Sequence, residues 1–161
     1  DFGPVEIIHF ADALKKETAK RFNIPLDDTY YNKDKLVDNE EILRWFDRPV
    51  TIRSILQFYG TDLARKEDET VWVRKIDEMV KNCKNVIIPD VRFPNEADYV
   101  HVKNGFLIRI TPYPGWNEVS RHRSEIALEN YPKFDAIISP YYGQLEPYGI
   151  GLAHAVYEMT K

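Results

Sequence analysis

Three consecutive segments near the middle of the chain constrain its fold most. "NVIIPD" (Asn85 to Asp90) is apolar and lacks polar alternation, as expected of a strand covered on both faces. "PNEADYVHVKNG" follows as a helix, with Pro94 in its first turn and Gly105 just past its end. "FLIRIT" (Phe106 to Thr111) is the next strand. A strand, a helix and a strand in this order fit an α/β fold with a largely parallel sheet.

The rest of the chain extends the alternation. "VEIIHF" (Val5 to Phe10) reads as a strand, and "ADALKKETAKRFNI" as a helix with Ala11, Leu14, Thr18, Ala19 and Phe22 at helical spacing. Asp12 suits an N-cap, although its carboxylate could equally face a ligand. Residues 24–50 are polar and aromatic without a clear period, and a short helix is expected near Glu40 to Phe46. "TIRSILQFYG" predicts a helix capped by Thr51 and stopped by Gly60, and "ETVWVRKIDEMVKNC" predicts another. "SEIALENY" reads as a short helix, "FDAIIS" as an interior strand, and a closing helix is expected from about Gly149. The expected fold is an α/β sandwich with a mainly parallel sheet, in which ligands bind beyond the carboxyl ends of the strands.

Length and composition agree with this. The chain has 161 residues, 43% hydrophobic and 30% charged, which suits a single globular domain over residues 1–161. No apolar run approaches the roughly 20 residues of a membrane span. Cys83 is the single cysteine, which excludes an internal disulfide and a cysteine-built zinc site and makes a reducing, cytoplasmic setting the expectation. The net charge of −4 and the lack of a long basic stretch argue against direct nucleic-acid binding. An anionic ligand would need a local arginine cluster instead.

Chemistry is expected where the "NVIIPD" strand ends. Asp90 there is either a magnesium or substrate ligand, since hard cations prefer carboxylate oxygens, or a turn and cap residue. Arg92 offers a planar fork to a phosphate, or pairs with Asp90 or Glu96. Glu96 falls in the first turn of a helix, where an acid is favoured for structural reasons alone. "SRHRSE" places Arg121, His122 and Arg123 in a basic loop that could close over transferring phosphates, or simply be solvated. Trp72 lies on the apolar side of its helix, so it is either core or a rim indole for a base. Tyr30, Tyr31, Trp45 and Phe46 suit a nucleotide-gripping insertion, and satellite-core packing explains them equally.

Taken together, "TIRSILQFYGTDLARK…TVWVRK", "VIIPDVRFPNEAD" and "HRSEIAL…FDAIIS" resemble the deoxynucleoside monophosphate kinases of bacteriophages and their relatives. The resemblance covers nearly the whole chain in the right order. It implies a three-layer α/β/α P-loop nucleotide kinase fold and transfer of the γ-phosphoryl of ATP to a deoxynucleoside 5′-monophosphate, with magnesium as cofactor. By resemblance, Asp12 and Lys15 lie beside the active cleft, Arg53 contacts the substrate phosphate, and Asp62 and Trp72 line the monophosphate side. Asp90 (also the metal candidate), Arg92 and Arg121 become the catalytic candidates, with Glu96, His122 and Glu125 on the substrate. Residues 24–50 become a substrate-side insertion and 112–125 a lid-like loop. A homodimer, and the host cytoplasm for a phage-encoded protein, fit the same picture.

The chain departs from that family in one motif. No G-x-x-x-x-G-K-[ST] loop occurs in it, although such a loop cradles the phosphates in P-loop kinases. The chain opens on Asp1 at what would be the family's second strand, so the loop is expected upstream. The alternatives are a relative without a P-loop that binds a nucleotide or protein, and a metal-dependent nuclease.

Overall fold

The structure, a computed structural model, describes residues 4–111, 122–139 and 149. Arg121, most of the 112–125 loop and all but Gly149 of the expected closing helix lie outside the described residues. The chain falls into two compact units, Asp1–Val91 and Arg92–Lys161.

In the first unit, strand β1 (Val5–Ile7) pairs in parallel with β4 (Asn85–Ile87), with Val5 opposite Asn85 and Ile7 opposite Ile87. Between them in sequence come helix α1 (Phe10–Arg21), α2 (Leu26–Tyr31), strand β2 (Leu36–Val37), α3 (Glu40–Leu43), strand β3 (Val50–Thr51), α4 (Ile52–Gln57), a π-helical turn (Phe58–Leu63), α5 (Ala64–Glu67) and α6 (Val71–Val80). Strands β2 and β3 form a short antiparallel pair. The β1–β4 pair has no third strand among the described residues, and Ile7 and Ile87 are 65% and 53% exposed rather than covered on both faces.

Phe22, Ile24, Ile42, Ile52 and Ile55 make the core of this unit, with Trp45, Phe46, Phe58 and Tyr59 packed around it. Phe22 meets Tyr59 and Trp45 edge to face at centroid distances of 5.8 and 6.3 Å, a favoured geometry for the ring quadrupoles. The aromatic character of residues 24–50 is thus largely core packing, since Trp45 and Phe46 join this cluster. Asn23 closes α1 with a φ of 51°, and the Ile24 N–H donates to the Ala19 carbonyl in a left-handed cap that turns the chain into that core.

Two local expectations need correction. Thr51 caps α4 as read, its hydroxyl accepting the Ser54 N–H. Gly60, however, does not stop the helix. The backbone passes through the π turn and continues as α5. Gly60 is there for space: a Cβ at this position would lie 2.8 Å from Leu14 Cδ2 of α1. The helix after β1 likewise starts at Phe10 with His9 at the cap, so Asp12 sits in its first turn and is not the N-cap.

The second unit contains α7 (Pro94–Val102), strand β5 (Ile108–Ile110), α8 (Arg123–Ile126) and strand β6 (Ala136–Ile138), with β5 and β6 parallel. Asn104, with φ 56°, carries the left-handed turn after α7, and the Gly105 N–H donates to the Val100 carbonyl. Asp135 fixes the start of the β5–β6 ladder. Its Oδ2 accepts the Leu107 N–H at 2.7 Å and lies 3.1 Å from His101 Nε2. The Leu107 amide is the first cause holding the Asp135 carboxyl below the usual carboxylate range, and His101 adds to it.

A carboxyl depressed in the folded state stabilises fully above its unfolded pKa and loses that contribution as pH falls through the folded value. Asp135→Asn is therefore expected to lower stability by about 1 kcal/mol at neutral pH, discounted for solvent screening. The deficit should shrink below about pH 4. Urea midpoints of the two proteins at pH 7 and pH 3 check this, and an equal deficit at both would disprove the charge-based account.

Both units mix helices with small strand pairs, so the chain is α/β with short parallel elements. Among the described residues, no helix is long and apolar enough to cross a membrane.

Candidate active site

The end of β4 delivers Asp90 to the start of α1. Its Oδ1 accepts the Phe10 N–H and its Oδ2 the Ala11 N–H, each at 2.9 Å. These are the first two amides of a 12-residue helix, which its own turns leave unpaired. A carboxylate at this position also complements the positive end of the helix dipole. His9 Nδ1 stands 3.9 Å from Oδ2.

Each carboxylate oxygen accepts one backbone amide, so Asp90 serves as a helix cap in the structure. Among the described residues, no group of three His, Cys, Asp or Glu side chains converges to hold a metal ion. In this arrangement Asp90 is the cap that sets the position of α1.

One turn further along, α1 presents Asp12 and Lys15. Asp12 Oδ1 accepts the Tyr30 hydroxyl at 2.9 Å and lies 3.9 Å from Lys15 Nζ. The ammonium sits over the Tyr30 ring, 3.8 Å from its centroid. Burial pushes the Lys15 ammonium below the ordinary lysine value, and the charge of Lys33 pushes the same way; Asp12 and Asp90 oppose the shift. Burial, then the hydrogen bond to Asp12, push the Tyr30 phenol up to about 12, so Tyr30 remains a neutral donor at physiological pH. Asp12, Lys15 and Asp90, named from the sequence, are thus brought together.

Other predicted residues of this unit go elsewhere. Arg53, at the start of α4, forms a two-point ion pair with Asp34, Nε to Oδ1 at 2.9 Å and Nη2 to Oδ2 at 3.2 Å. Asp62 is exposed on the π turn. Trp72 is 3% exposed, its indole N–H donating to the Gly60 carbonyl at 3.0 Å, so no ring face is open for a base. Of the two readings of Trp72, the structure shows the core residue, bonded to the π turn. A cleft of about 840 Å³ in this unit is lined by residues that include Glu17, Lys20, Arg21, Asn39 and Tyr59, and by none of the predicted site residues.

In the second unit, Glu96 is 2% exposed and its Oε2 accepts the backbone N–H groups of Arg92 and Phe93 at 2.7 and 3.1 Å. This is the returning half of a capping box, so of the two readings of Glu96 the structure shows the helix cap. The guanidinium of Arg92 is exposed and ion-paired with Glu125. His122 caps α8, its Nδ1 accepting the Ser124 N–H at 3.2 Å. Arg92 is thus fixed at both ends, by Glu96 at its backbone and Glu125 at its side chain.

Sequence reasoning noted Tyr30 only as one of several aromatic residues, and it gave no role to Lys33 or His9. Fifteen residues separate Lys15 from Tyr30, a spacing with no helical or strand period to reveal the contact.

Comparison with known proteins adds the family. The sequence model described as deoxynucleotide monophosphate kinase matches residues 6–146. A protein of Acanthamoeba polyphaga mimivirus named "Putative deoxynucleotide monophosphate kinase" is 33% identical over 147 residues, covering 80% of this chain and 72% of the viral protein. Both the extent of the family match and the coverage of that relative are those of a whole-domain relationship. The chain belongs to the deoxynucleotide monophosphate kinase family.

Proposed function

We propose that the protein transfers the γ-phosphoryl group of ATP to a deoxynucleoside 5′-monophosphate. The observation that carries this beyond family membership is the Lys15 ammonium. It is half-buried, supported by Asp12 and Tyr30, and placed on a helix whose first turn is pinned by Asp90. A desolvated cation on a rigid element suits the neutralisation of an anionic acceptor, because phosphoryl transfer is catalysed mainly by positioning and charge.

In this reading Lys15 engages the acceptor phosphate and Asp12 orients Lys15. Arg53 and Arg92 each hold an ion pair that a phosphate can replace, since a guanidinium fork binds carboxylate and phosphate alike. Bound ATP would supply the transferred phosphoryl group, with magnesium on its phosphates and Asp90 the candidate residue beside it. The three-layer sandwich, with 24–50 as its substrate-side insertion and 112–125 as its lid, is proposed on the same footing, and the two parallel strand pairs support it.

A coupled assay of the full-length protein with ATP and each deoxynucleoside monophosphate tests the proposal. Diphosphate formation with at least one acceptor is expected. Folded protein that turns over none of them would overturn it.

A further inference from the structure

We propose that Tyr30 is a positioning residue that holds the Lys15 ammonium and the Asp12 carboxylate in place for the acceptor phosphate, an inference that rests on the kinase reading above.

Tyr30 makes two different contacts with one functional pair. Its hydroxyl donates to Asp12 Oδ1 at 2.9 Å, and its ring lies beneath Lys15 Nζ at 3.8 Å from the centroid. A hydrogen bond fixes the carboxylate in direction. A cation over a ring face is attracted without using any of its three N–H donors, which stay available for an anion. An ion pair with Asp12 alone would draw the ammonium down onto the carboxylate. At 3.9 Å the Lys15–Asp12 distance is instead longer than a hydrogen bond, so the ammonium is held between ring and carboxylate rather than docked on either.

The residue can do this because α2 is itself anchored. Thr29, next to it, is fully buried with its hydroxyl on the Leu26 carbonyl. Asp28 is buried too, accepting from Asn32 Nδ2 and Lys35 Nζ, each at 2.6 Å. Lys35 in turn accepts the Ile52 N–H through its carbonyl, which ties this segment to the start of α4. The segment preceding Tyr30 is thus fixed to the core, and the phenol projects from it onto α1. Tyr31, by contrast, is 82% exposed and shares neither contact. The charged groups that act on Lys15 are Asp12 on its own helix, Asp90 from the end of β4, and Lys33 from the loop after α2.

Two variants separate the contacts. Tyr30→Phe keeps the ring and removes the bond to Asp12; Tyr30→Leu removes both. In the full-length kinase, the acceptor KM is expected to rise about threefold in the first and about tenfold in the second, with the KM for ATP unchanged. A second readout needs no activity. The Lys15 ammonium, followed by NMR through a pH titration, should move further below the ordinary lysine value in Tyr30→Leu, because leucine is apolar but has no ring face to attract the charged form.

A folded Tyr30→Leu protein with wild-type acceptor KM and an unmoved Lys15 titration would overturn the proposal. Should Tyr30→Leu fail to fold, a wild-type acceptor KM in Tyr30→Phe would overturn it. Should the wild type transfer no phosphoryl group while Lys15 still shifts in Tyr30→Leu, the kinase reading fails and the positioning of Lys15 by Tyr30 stands.

Discussion

Asp90→Ala is expected to lower stability by about 2 kcal/mol and activity by about 100-fold. The stability loss follows from what the carboxylate holds. Two amides at the start of α1 donate to it, and its side chain is only 16% exposed. Alanine leaves both donors to whatever water can reach them, at the upper end of the usual cost of a lost N-cap. The activity loss follows from geometry. Asp12 and Lys15 ride on the first turns of that helix, and a displacement of about 1 Å in a positioning element is enough for a 100-fold effect.

Asp90→Asn separates this account from a metal-ligand role. Its single carboxamide oxygen can retain one of the two bonds, so about half the stability loss is expected, with the magnesium concentration needed for half-maximal rate unchanged. Urea denaturation and a magnesium titration of the rate measure the two. A variant of wild-type stability whose magnesium requirement rises steeply would show that Asp90 acts on the metal after all.

Asp90 also shows where sequence reading stops. That an acid at the end of an apolar strand would matter follows from the strand itself. What it would touch does not, because its partners lie 80 and 79 residues away in sequence. The elements that were legible carry their signals locally: Pro94 at the first position of α7, the Thr51 hydroxyl on the Ser54 amide, the spacing of Leu14 and Thr18 in α1 and of Phe22 just past its end. Residues 24–50 were not legible in the same way. They fold into elements of six, two, four and two residues, too short for either period to register, and are organised by burial of Ile24, Ile42 and Trp45 against the core. Gly60 misled for a related reason. A glycine after a helical run reads as a stop, but here it answers the close approach of Leu14 from another helix. The candidate site divides likewise. Asp12 and Lys15 were named by resemblance, whereas Tyr30, which joins them, belongs to the segment with no period.

Glu96→Ala is expected to cost about 3 kcal/mol, the larger of the two stability effects. Glu96 is 2% exposed, and one of its oxygens accepts from both the Arg92 and the Phe93 amide. Removing the acceptor strands these donors beside a helix start where Phe93 and Ala97 are also buried and water has little access. Glu96→Gln retains a side-chain carbonyl at the same reach, so its cost should fall to about 1 kcal/mol, the difference between a charged and a neutral acceptor. Because the Arg92 amide is one of the two donors, loss of the cap also frees the backbone from which the guanidinium projects. In the kinase reading, Glu96→Ala therefore weakens turnover even under conditions where the protein stays folded, whereas Glu96→Gln keeps most of it. Denaturant midpoints and turnover of both variants test the pair of effects. Equal stability losses would rule out the amide-cap account, since only alanine removes the acceptor. A stable Glu96→Gln protein with no turnover would instead assign the Glu96 charge itself to the reaction.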